Sequence, residues 1–211
     1  MAMDEALLEA ASARAEPFLR LYSWTEPAAS FGYFQHYADV EKMTILRPLV
    51  RRPTAGGLVP HDNDWTYTLA FPTQHAWYSL RATETYRRVH EWIRDAFGEL
   101  GFPTELAAET KVAGPGQCFV GYEKHDVLFH GQKIAGAAQR RRRDGLLIQG
   151  SVQPAFLEGA SRKQWEAAFR EKIAQSEDVE WKSYTPAQAL LDQVDALSRS
   201  KYSVDAFNRR R

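Results

Sequence analysis

The sequence is poor in cysteine and contains no long apolar run. It has one cysteine, Cys118, so no disulfide can form within the chain. No basic segment followed by an apolar signal core occurs near its start, and no stretch reaches the roughly 18 apolar residues of a transmembrane helix. We therefore expect a protein of the reducing cytoplasm, with no membrane partner, in which Cys118 is a free thiol.

The chain also lacks an excess of charge of either sign. Lys and Arg together number 27, as do Asp and Glu, so no overall field attracts nucleic acid or an anionic membrane. With 211 residues, of which 44% are hydrophobic, the chain is long enough for one full core. We expect a single domain over residues 1–211, in which part 156–211 is rich in helix.

The spacing of apolar residues predicts an α+β fold in which helices pack on a mixed, mostly antiparallel sheet. Apolar residues at helical intervals predict helices over 2–13, 83–100, 161–173, 186–198 and 203–210. Alternating, aromatic and β-branched residues predict strands over 18–24, 45–52, 65–72, 125–131, 132–140 and 145–152. The Asp-Gly pair in RRRRDG predicts a hairpin turn between the last two strands.

A glycine-containing loop, RRPTAGGLVPHD at 51–62, is the first candidate site. The pair Gly56 and Gly57 permits close approach of the backbone, whose N–H groups can contact a carboxylate or phosphate, while Arg51 or Arg52 adds charge. The alternative is an ordinary hairpin loop with exposed arginines. The sequence alone leaves both open, because short glycine signals match by chance.

His61 follows this loop and has Asp62 and Asp64 nearby. Such a histidine is either a catalytic base or a group that hydrogen-bonds within the fold. The spacing of the three residues fits neither zinc nor EF-hand ligands, so we predict no metal site.

The chain's thiol and a lysine with small neighbours lie close together in sequence. Lys133 precedes IAGAA, and small residues on a strand leave room for a ligand that the ammonium can contact, although a lysine also commonly protects a strand edge. Cys118 is either a small buried apolar residue or a nucleophile activated by a nearby cation. The candidates for that cation are Lys133, His61 and His125.

The run Arg140–Arg143 allows two interpretations as well. It is either a solvated hairpin turn or a basic surface that steers an acidic partner.

Four ordered segments, taken together, resemble the lipoate-protein ligase and octanoyltransferase family, which shares its catalytic fold with biotin protein ligases. They are MAMDEALL (1–8), LRLYSWTEPAASFGYFQ (19–35), RRPTAGGLVPHD (51–62) and DVLFHGQKIAGAAQRR (126–141), the last followed by GLLIQGSV. The resemblance covers the chain to about residue 155 and implies a biotin/lipoate protein ligase-like catalytic domain.

The resemblance also implies the site. Lys133 takes the place of the family lysine that holds the activated acyl carbonyl or phosphate, and Cys118 is its catalytic partner. The implied substrate-binding residues are Arg52, Thr54, Ala55, Gly56, Gly57, His61, Ile134, Ala135, Gly136, Ala138, Gln139 and Gln149. Two of these depart from the family pattern, since Ala55 stands where glycine is usual and Gln149 where histidine is common.

The pair Cys118-Phe119 resembles the cysteine-dependent octanoyltransferase branch. That branch implies a cofactor-independent acyltransferase that moves an octanoyl or lipoyl group, through a Cys118 thioester, onto a lysine of a lipoyl-bearing domain. The implied partners are acyl carrier protein and lipoyl-bearing domains such as glycine cleavage H protein or dehydrogenase E2 domains. One alternative is the catalytic domain of a lipoate ligase that uses ATP and Mg²⁺. The other is a non-catalytic homologue that binds lipoyl domains.

Overall fold

A computed structural model of the protein describes residues 1–111, 116 and 118–210. Its helices are α1 (Ala2–Arg14), α2 (Tyr37–Met43), α3 (Ala76–Ser79), α4 (Ala82–Glu99), α5 (Arg162–Glu177), α6 (Gln188–Leu197) and α7 (Asp205–Asn208). Its strands are β1 (Phe18–Tyr22), β2 (Ala28–Phe31), β3 (Leu49–Arg51), β4 (Val59–His61), β5 (Trp65–Phe71), β6 (Glu105–Leu106), β7 (Val127–Phe129), β8 (Gln132–Arg142) and β9 (Gly145–Val152). A 3₁₀ turn at Pro154–Phe156 and a π-helical turn at Ser198–Tyr202 complete these elements.

The strands form two sheets. The larger sheet has the order β1-β5-β9-β8-β7-β6, and every neighbouring pair in it is antiparallel. The smaller sheet has the order β3-β2-β4, with β3 parallel and β4 antiparallel to β2. The fold is thus α+β with a mostly antiparallel sheet arrangement, as the sequence predicts.

Helices cover both faces of the larger sheet. On one face, α4 and α5 bury aromatic side chains, and Trp165 of α5 packs with its ring centroid 5.4 Å from that of Trp65 on β5. On the other face, Leu8 and Ala11 of α1 pack against Ala70 and Leu147. The amphipathic spacing of α4 directs that helix to the sheet, because burial of its apolar stripe removes that surface from water.

Most predicted elements are present, and the main omission is the smaller sheet. The sequence does not predict β2, α2 or β4, and its strand over 45–52 shortens to β3. Pro48 precedes β3, lacks a backbone N–H and cannot donate to a ladder, and Ile45 is exposed. Among the described residues, no helix combines the length and the apolar composition needed to cross a membrane.

Candidate active site

The two sheets and the segment that carries Cys118 enclose a pocket. The space between its walls measures about 450 Å³, a figure that includes open solvent at its mouth. Its walls come from β1, β2, β4, β5, β8 and β9, and its lining residues are Met1, Tyr22, Ser30, Arg52, Val59, His61, Thr66, Cys118, Phe119, Lys133, Gly136, Ala137, Ala138, Gln149, Gly150 and Ser151. Cys118 and Lys133, 15 positions apart in sequence, thus face one cavity.

The thiol of Cys118 lies against the glycine loop. The backbone N–H of Gly57 donates to the sulfur at 3.1 Å. Two backbone hydrogen bonds fix the approach, from Leu58 N to Gly116 O at 2.7 Å and from Cys118 N to Leu58 O at 3.1 Å. Because an added Cβ at Gly57 would lie 2.7 Å from Gly116 O, only glycine fits at this contact.

Arg52 is the cation that the structure puts next to this sulfur. Its guanidinium is buried beneath the loop, where it donates to Ala55 O and to Gly57 O, each at 2.7 Å. Burial lowers the pKa of Arg52, and the neighbouring Cys118 sulfur opposes this shift through its charge and a hydrogen bond. The sequence offers Lys133, His61 and His125 as candidates for this cation and misses Arg52.

Arg51, the neighbour of Arg52, points the other way and has a scaffolding role. Its fully buried guanidinium donates to the carbonyl oxygens of Tyr33 and Gln35 at 2.8 and 2.7 Å, and to that of Asn208 at 2.9 Å. Arg51 and Arg52 point in opposite directions because successive side chains of an extended segment face opposite sides. Arg51 therefore ties α7 to the turn that follows β2.

That turn supports the glycine loop from behind. An added Cβ at Gly32 would lie 1.8 Å from Gly56 O, so the two backbones touch at Gly32. Gly56 has a φ of 90°, in the left-handed region that favours glycine, whereas Ala55 does not have a positive φ. The alanine found where the family usually has glycine therefore imposes no backbone strain.

Lys133 forms a buried ion pair. Its ammonium lies 2.7 Å from Oδ2 of Asp126 and 5.2 Å from the centre of the Phe119 ring. The register between β7 and β8 shifts at Val127/Leu128, which pair with Ala135 and Lys133. This bulge alters the alternation, so that the Lys133 side chain lies along Gly136, where an added Cβ would be 2.7 Å from its Cε.

Asp126 is itself held by further donors. Tyr86 Oη donates to its Oδ1 at 2.5 Å, and Glu123 N donates to its Oδ2 at 2.6 Å. Burial, followed by the charge of Asp126, raises the pKa of Tyr86 well above its usual value, so the phenol remains a donor. An ammonium has three N–H donors, and among the described residues Asp126 is the carboxylate within salt-bridge distance of Lys133.

A second set of buried polar groups, Ser30, His61 and Asp64, is linked by hydrogen bonds at the pocket wall. Ser30 Oγ lies 2.7 Å from His61 Nε2, and His61 Nδ1 lies 2.8 Å from Asp64 Oδ2. Asp64 also accepts from Thr66 at 3.0 Å and from Ser151 at 2.6 Å. His61 thus hydrogen-bonds within the fold at the pocket wall, which is one of the two interpretations that its sequence context allows.

Gln149 is joined to the start of the chain. Its Oε1 accepts from Thr54 at 2.9 Å, and its Nε2 donates to Asp4 Oδ2 at 2.7 Å. The pKa of Asp4 is lowered although its burial opposes this, because positive charge at Met1 and Arg20 favours the carboxylate. The glutamine that replaces the family's usual histidine therefore satisfies a buried acid and the glycine loop together.

The structure brings together most of the predicted site residues. Those that line the pocket are Arg52, His61, Cys118, Lys133, Gly136, Ala138 and Gln149. Thr54, Ala55, Gly56 and Gly57 form the adjoining loop, in contact with Arg52, Cys118 or Gln149.

Three predicted residues neither line the pocket nor form the adjoining loop. Ile134 and Ala135 are buried in the main core instead, and Gln139 hydrogen-bonds to Thr85 at 2.8 Å and to Ala82 O at 2.7 Å on α4. The bulge directs Ile134 and Ala135 inward, and alternation along β8 turns Gln139 towards the helix. Sequence reasoning missed Ser30, Asp64 and Asp126 as site residues. Asp126 could have been sought from the cost of burying Lys133 unpaired.

The basic hairpin is largely engaged with its own chain. Arg141 donates to Tyr78 O at 3.2 Å and also to Leu80 O, and Arg142 pairs with Glu5 at 2.6 Å. Arg140 donates to Pro53 O at 2.9 Å. A broad docking surface made of all four arginines is therefore inconsistent with these contacts.

The fold and the pocket define a class of protein, an α+β domain in which a thiol and a paired ammonium face one ligand cavity between two sheets. The profile of the lipoyl protein ligase A/B catalytic domain matches residues 1–199, and the chain belongs to this family.

Curated relatives are octanoyltransferases. LipM of Carboxydothermus hydrogenoformans is 35% identical over 160 residues, which cover 72% of this chain and 59% of that protein. LipM of Staphylococcus aureus is 34% identical and is covered over 60% of its length, so the chain spans less than two thirds of these two relatives. LipM of Lysinibacillus sphaericus is 28% identical, with 99% of this chain and 93% of that protein aligned.

Solved structures share the fold. A putative lipoate protein ligase from T. acidophilum has a TM-score of 0.81 at 20% identity, covering 100% of this chain and 92% of that one. A lipoate-protein ligase A bound with ATP has a TM-score of 0.80 at 20% identity, with coverage of 99% and 92%. These similarities confirm the predicted ligase-like α+β fold.

Proposed function

We propose that this protein is an acyltransferase that moves an octanoyl or lipoyl group, by way of a Cys118 thioester, onto a lysine of a lipoyl-bearing protein domain. The observation that carries the proposal is the Cys118 sulfur, which faces the ligand pocket beside Arg52 and the Gly57 N–H. Supporting it, the curated relatives described above carry the name octanoyltransferase. We further propose that the domain spans the whole of residues 1–211.

The first half-reaction loads the enzyme. The thiolate of Cys118 attacks the carbonyl carbon of a donor thioester, a new C–S bond forms, and the bond to the donor sulfur breaks. The donor leaves as a thiol after it takes up the proton that Cys118 released. A thiolate suits this step, since it is a strong nucleophile near neutral pH.

Lys133 stabilises the charge that develops on the carbonyl oxygen. Its ammonium is held by Asp126 at 2.7 Å and is almost fully buried, so it is pre-positioned in a site from which most water is excluded. A fixed donor in such a site is worth about 3 kcal/mol of transition-state stabilisation. The backbone amides of the glycine loop are further donors near the sulfur.

The second half-reaction unloads the enzyme. The amine of the acceptor lysine attacks the Cys118 thioester, an amide bond forms, and the sulfur leaves as a thiol with the proton that the amine loses. The acyl chain lies meanwhile in the pocket, where Val59, Phe119, Ala137 and Ala138 supply apolar wall. No nucleotide is consumed, because the donor thioester is already activated.

The alternative function is adenylation of free lipoate with ATP and Mg²⁺. One fold neighbour is described as bound with ATP, and another as a bipartite lipoate ligase with its E2 lipoyl domain. Either function ends on a lipoyl-bearing domain, so the acceptor does not distinguish them. The two functions differ in how the acyl group is activated, which is by a donor thioester for the transferase and by ATP for the ligase.

A comparison of donors tests the proposal. The protein is incubated with an apo lipoyl domain and either octanoyl-acyl carrier protein without ATP, or octanoate or lipoate with ATP and Mg²⁺, and modification of the domain is followed by mass spectrometry. We expect modification with the carrier-bound donor alone. Modification only with free acid and ATP would establish the ligase alternative, and binding without modification under both conditions would establish a non-catalytic role.

A further inference from the structure

Tyr33 lies between two arginines at the rim of the glycine loop. It is part of the turn after β2, and its backbone N–H donates to Thr54 O at 2.9 Å. The guanidinium of Arg210 lies 3.7 Å from the centre of the Tyr33 ring, and that of Arg140 lies 4.3 Å from it. Two positive charges from distant parts of the chain thus meet at one side chain.

Neither guanidinium is neutralised by a carboxylate within salt-bridge distance over the described residues 1–111, 116 and 118–210. Arg140 donates to Pro53 O at 2.9 Å, and Arg210 makes a long contact of 3.5 Å with Tyr33 O. Arg142, on the same hairpin as Arg140, pairs instead with Glu5 and Asp144. Hydrogen bonding by Arg210, and to a smaller extent by Arg140, lowers the pKa of Tyr33, although burial opposes this shift. Within those described ranges the two guanidinium charges therefore have no carboxylate partner, which suits the pair to an anion.

The arginine pair lies at a defined reach from the thiol. An atom at the Cβ position of Gly56 would be 3.9 Å from Cys118 Sγ and 3.6 Å from Ala138 Cβ. Arg140 is two residues beyond Ala138 on the same side of β8, which adds about 7 Å along the strand. The Cβ of Arg140 is thus no further than about 15 Å from the sulfur. A pantetheine arm, extended like a peptide chain, spans about 15 Å between its thioester sulfur and its phosphorus.

We propose that Tyr33, Arg140 and Arg210 form a subsite for the phosphate group of a phosphopantetheine arm that presents the acyl thioester to Cys118. The inference rests on the proposed transferase function. The group recognised is a phosphate joined to the thioester by a pantetheine arm, and this arm is the same in a carrier protein and in coenzyme A. Arginine suits such a group, because its planar fork donates two parallel hydrogen bonds to phosphate oxygens.

Binding of one phosphate group fits the arrangement of Arg140 and Arg210 better than docking of a broad acidic protein surface does. Arg141 and Arg142 are occupied by contacts within the chain, whereas Arg140 and Arg210 both lie against the ring of Tyr33. One phosphate needs only such a pair.

The test compares two small donors that differ only in the phosphate. Octanoyl-phosphopantetheine and octanoyl-pantetheine are each mixed with the protein, and the rate of acylation of Cys118 is followed by intact mass spectrometry. We expect the phosphorylated donor to have a kcat/KM higher by about tenfold, the effect of one charge-assisted contact. The gap narrows with added salt, because exposed charges are screened.

Two variants locate the effect. Arg140→Gln retains an amide that can donate to Pro53 O, and Arg210→Ser does not alter a direct contact with the glycine loop. Both are expected to remove most of the preference for the phosphorylated donor and to leave the rate with octanoyl-pantetheine within about twofold of the wild type. Arg143→Ser, at an exposed position on the same hairpin, is the matched control and keeps the preference.

Each contrary result has a distinct meaning. If the wild type is acylated equally fast by both donors, the subsite is wrong while the transferase function stands. If neither these donors nor octanoyl-acyl carrier protein acylates Cys118, the transferase function itself is wrong. An equal loss in Arg143→Ser, or an effect of Arg140→Gln seen only with intact carrier protein, overturns the subsite in favour of a general field or a protein-docking contact.

Discussion

The backbone N–H of Gly57 and the sulfur of Cys118 are joined by a hydrogen bond of 3.1 Å. This contact connects the glycine loop, supported by Arg52 from below, to the segment that carries the thiol. The loop that encloses the pocket therefore also holds the sulfur in position. Lys133 completes the site from β8, with its own carboxylate partner.

The first prediction concerns Gly136, because the Lys133 side chain occupies the space where a Cβ of residue 136 would lie. In Gly136→Ala the new Cβ would lie 2.7 Å from Lys133 Cε, 2.8 Å from its Nζ and 3.1 Å from Asp126 Oδ1. The flexible lysine moves rather than the backbone, so we expect a folded protein whose kcat is lowered by about 10²-fold or more as the ammonium leaves its position. Steady-state kinetics with octanoyl-acyl carrier protein measure this.

Gly98→Ala is the matched control for that substitution. Among the described residues, no atom outside the adjoining backbone of its own helix lies within 4 Å of its added Cβ, and the residue is in α4. Alanine favours a helix over glycine by up to about 1 kcal/mol, so this variant is expected to be slightly more stable and fully active. A Gly136→Ala variant with the kcat of Gly98→Ala would show that the position of Lys133 is not limiting.

The support of Lys133 by Asp126 gives the second prediction. Asp126→Asn leaves an ammonium buried without its counter-charge, which is expected to lower the free energy of unfolding by about 3 kcal/mol. Tyr86→Phe removes the hydrogen bond to Oδ1, together with a long one of 3.5 Å from Ala137 N, and keeps the charge, so we expect a loss of about 1 kcal/mol. Urea denaturation of the three proteins ranks these effects, and equal losses in the two variants would contradict the account of the ion pair.

His90 gives a prediction on pH. Burial, partly offset by the charge of Asp126, lowers the pKa of His90 from 6.5 to about 4. Between these values the unfolded chain binds a proton that the folded protein does not, so stability falls as the pH falls. The full difference is about 3 kcal/mol, at 1.36 kcal/mol for each pH unit.

His90→Phe tests this contribution. The variant is expected to lose stability less steeply than the wild type from pH 6.5 down to pH 4, because no histidine at this position takes up a proton on unfolding. His130→Asn, at an exposed position, serves as the control and retains the wild-type slope. Parallel curves for His90→Phe and the wild type, from urea denaturation at each pH, would exclude His90 as the source.

The sequence predicts the larger sheet and its helices well, because their periodicity is local. Helix α4 begins and ends within one residue of the predicted bounds, and the predicted hairpin of β8 and β9 is present, although its turn is Arg143-Asp144 and Gly145 already begins β9. The smaller sheet was missed because β2 and β4 are short and their pairing is set by residues distant in sequence. Short strands carry too little pattern to be told from loops.

The sequence predicts the groups that face the ligand, but it does not predict the residues that hold those groups in position. Small residues beside Lys133 indicate a cavity, but only the bulge at β7 and β8 decides that Gly136 lies under the lysine while Ile134 enters the core. The choice of Arg52 as the cation near Cys118 follows from the path of the loop in space. Spacing in a sequence does not contain that information.

The central claim is that Cys118 carries the acyl group. The measurement that tests it most directly is the intact mass of the protein after brief mixing with octanoyl-acyl carrier protein in the absence of an acceptor. We expect the wild type to gain one octanoyl group, located on Cys118 by peptide mapping. Cys118→Ala is expected to gain none while keeping its urea midpoint, because little volume is lost. An unmodified wild type that still transfers octanoate, or transfer by Cys118→Ala at the wild-type rate, would contradict the claim.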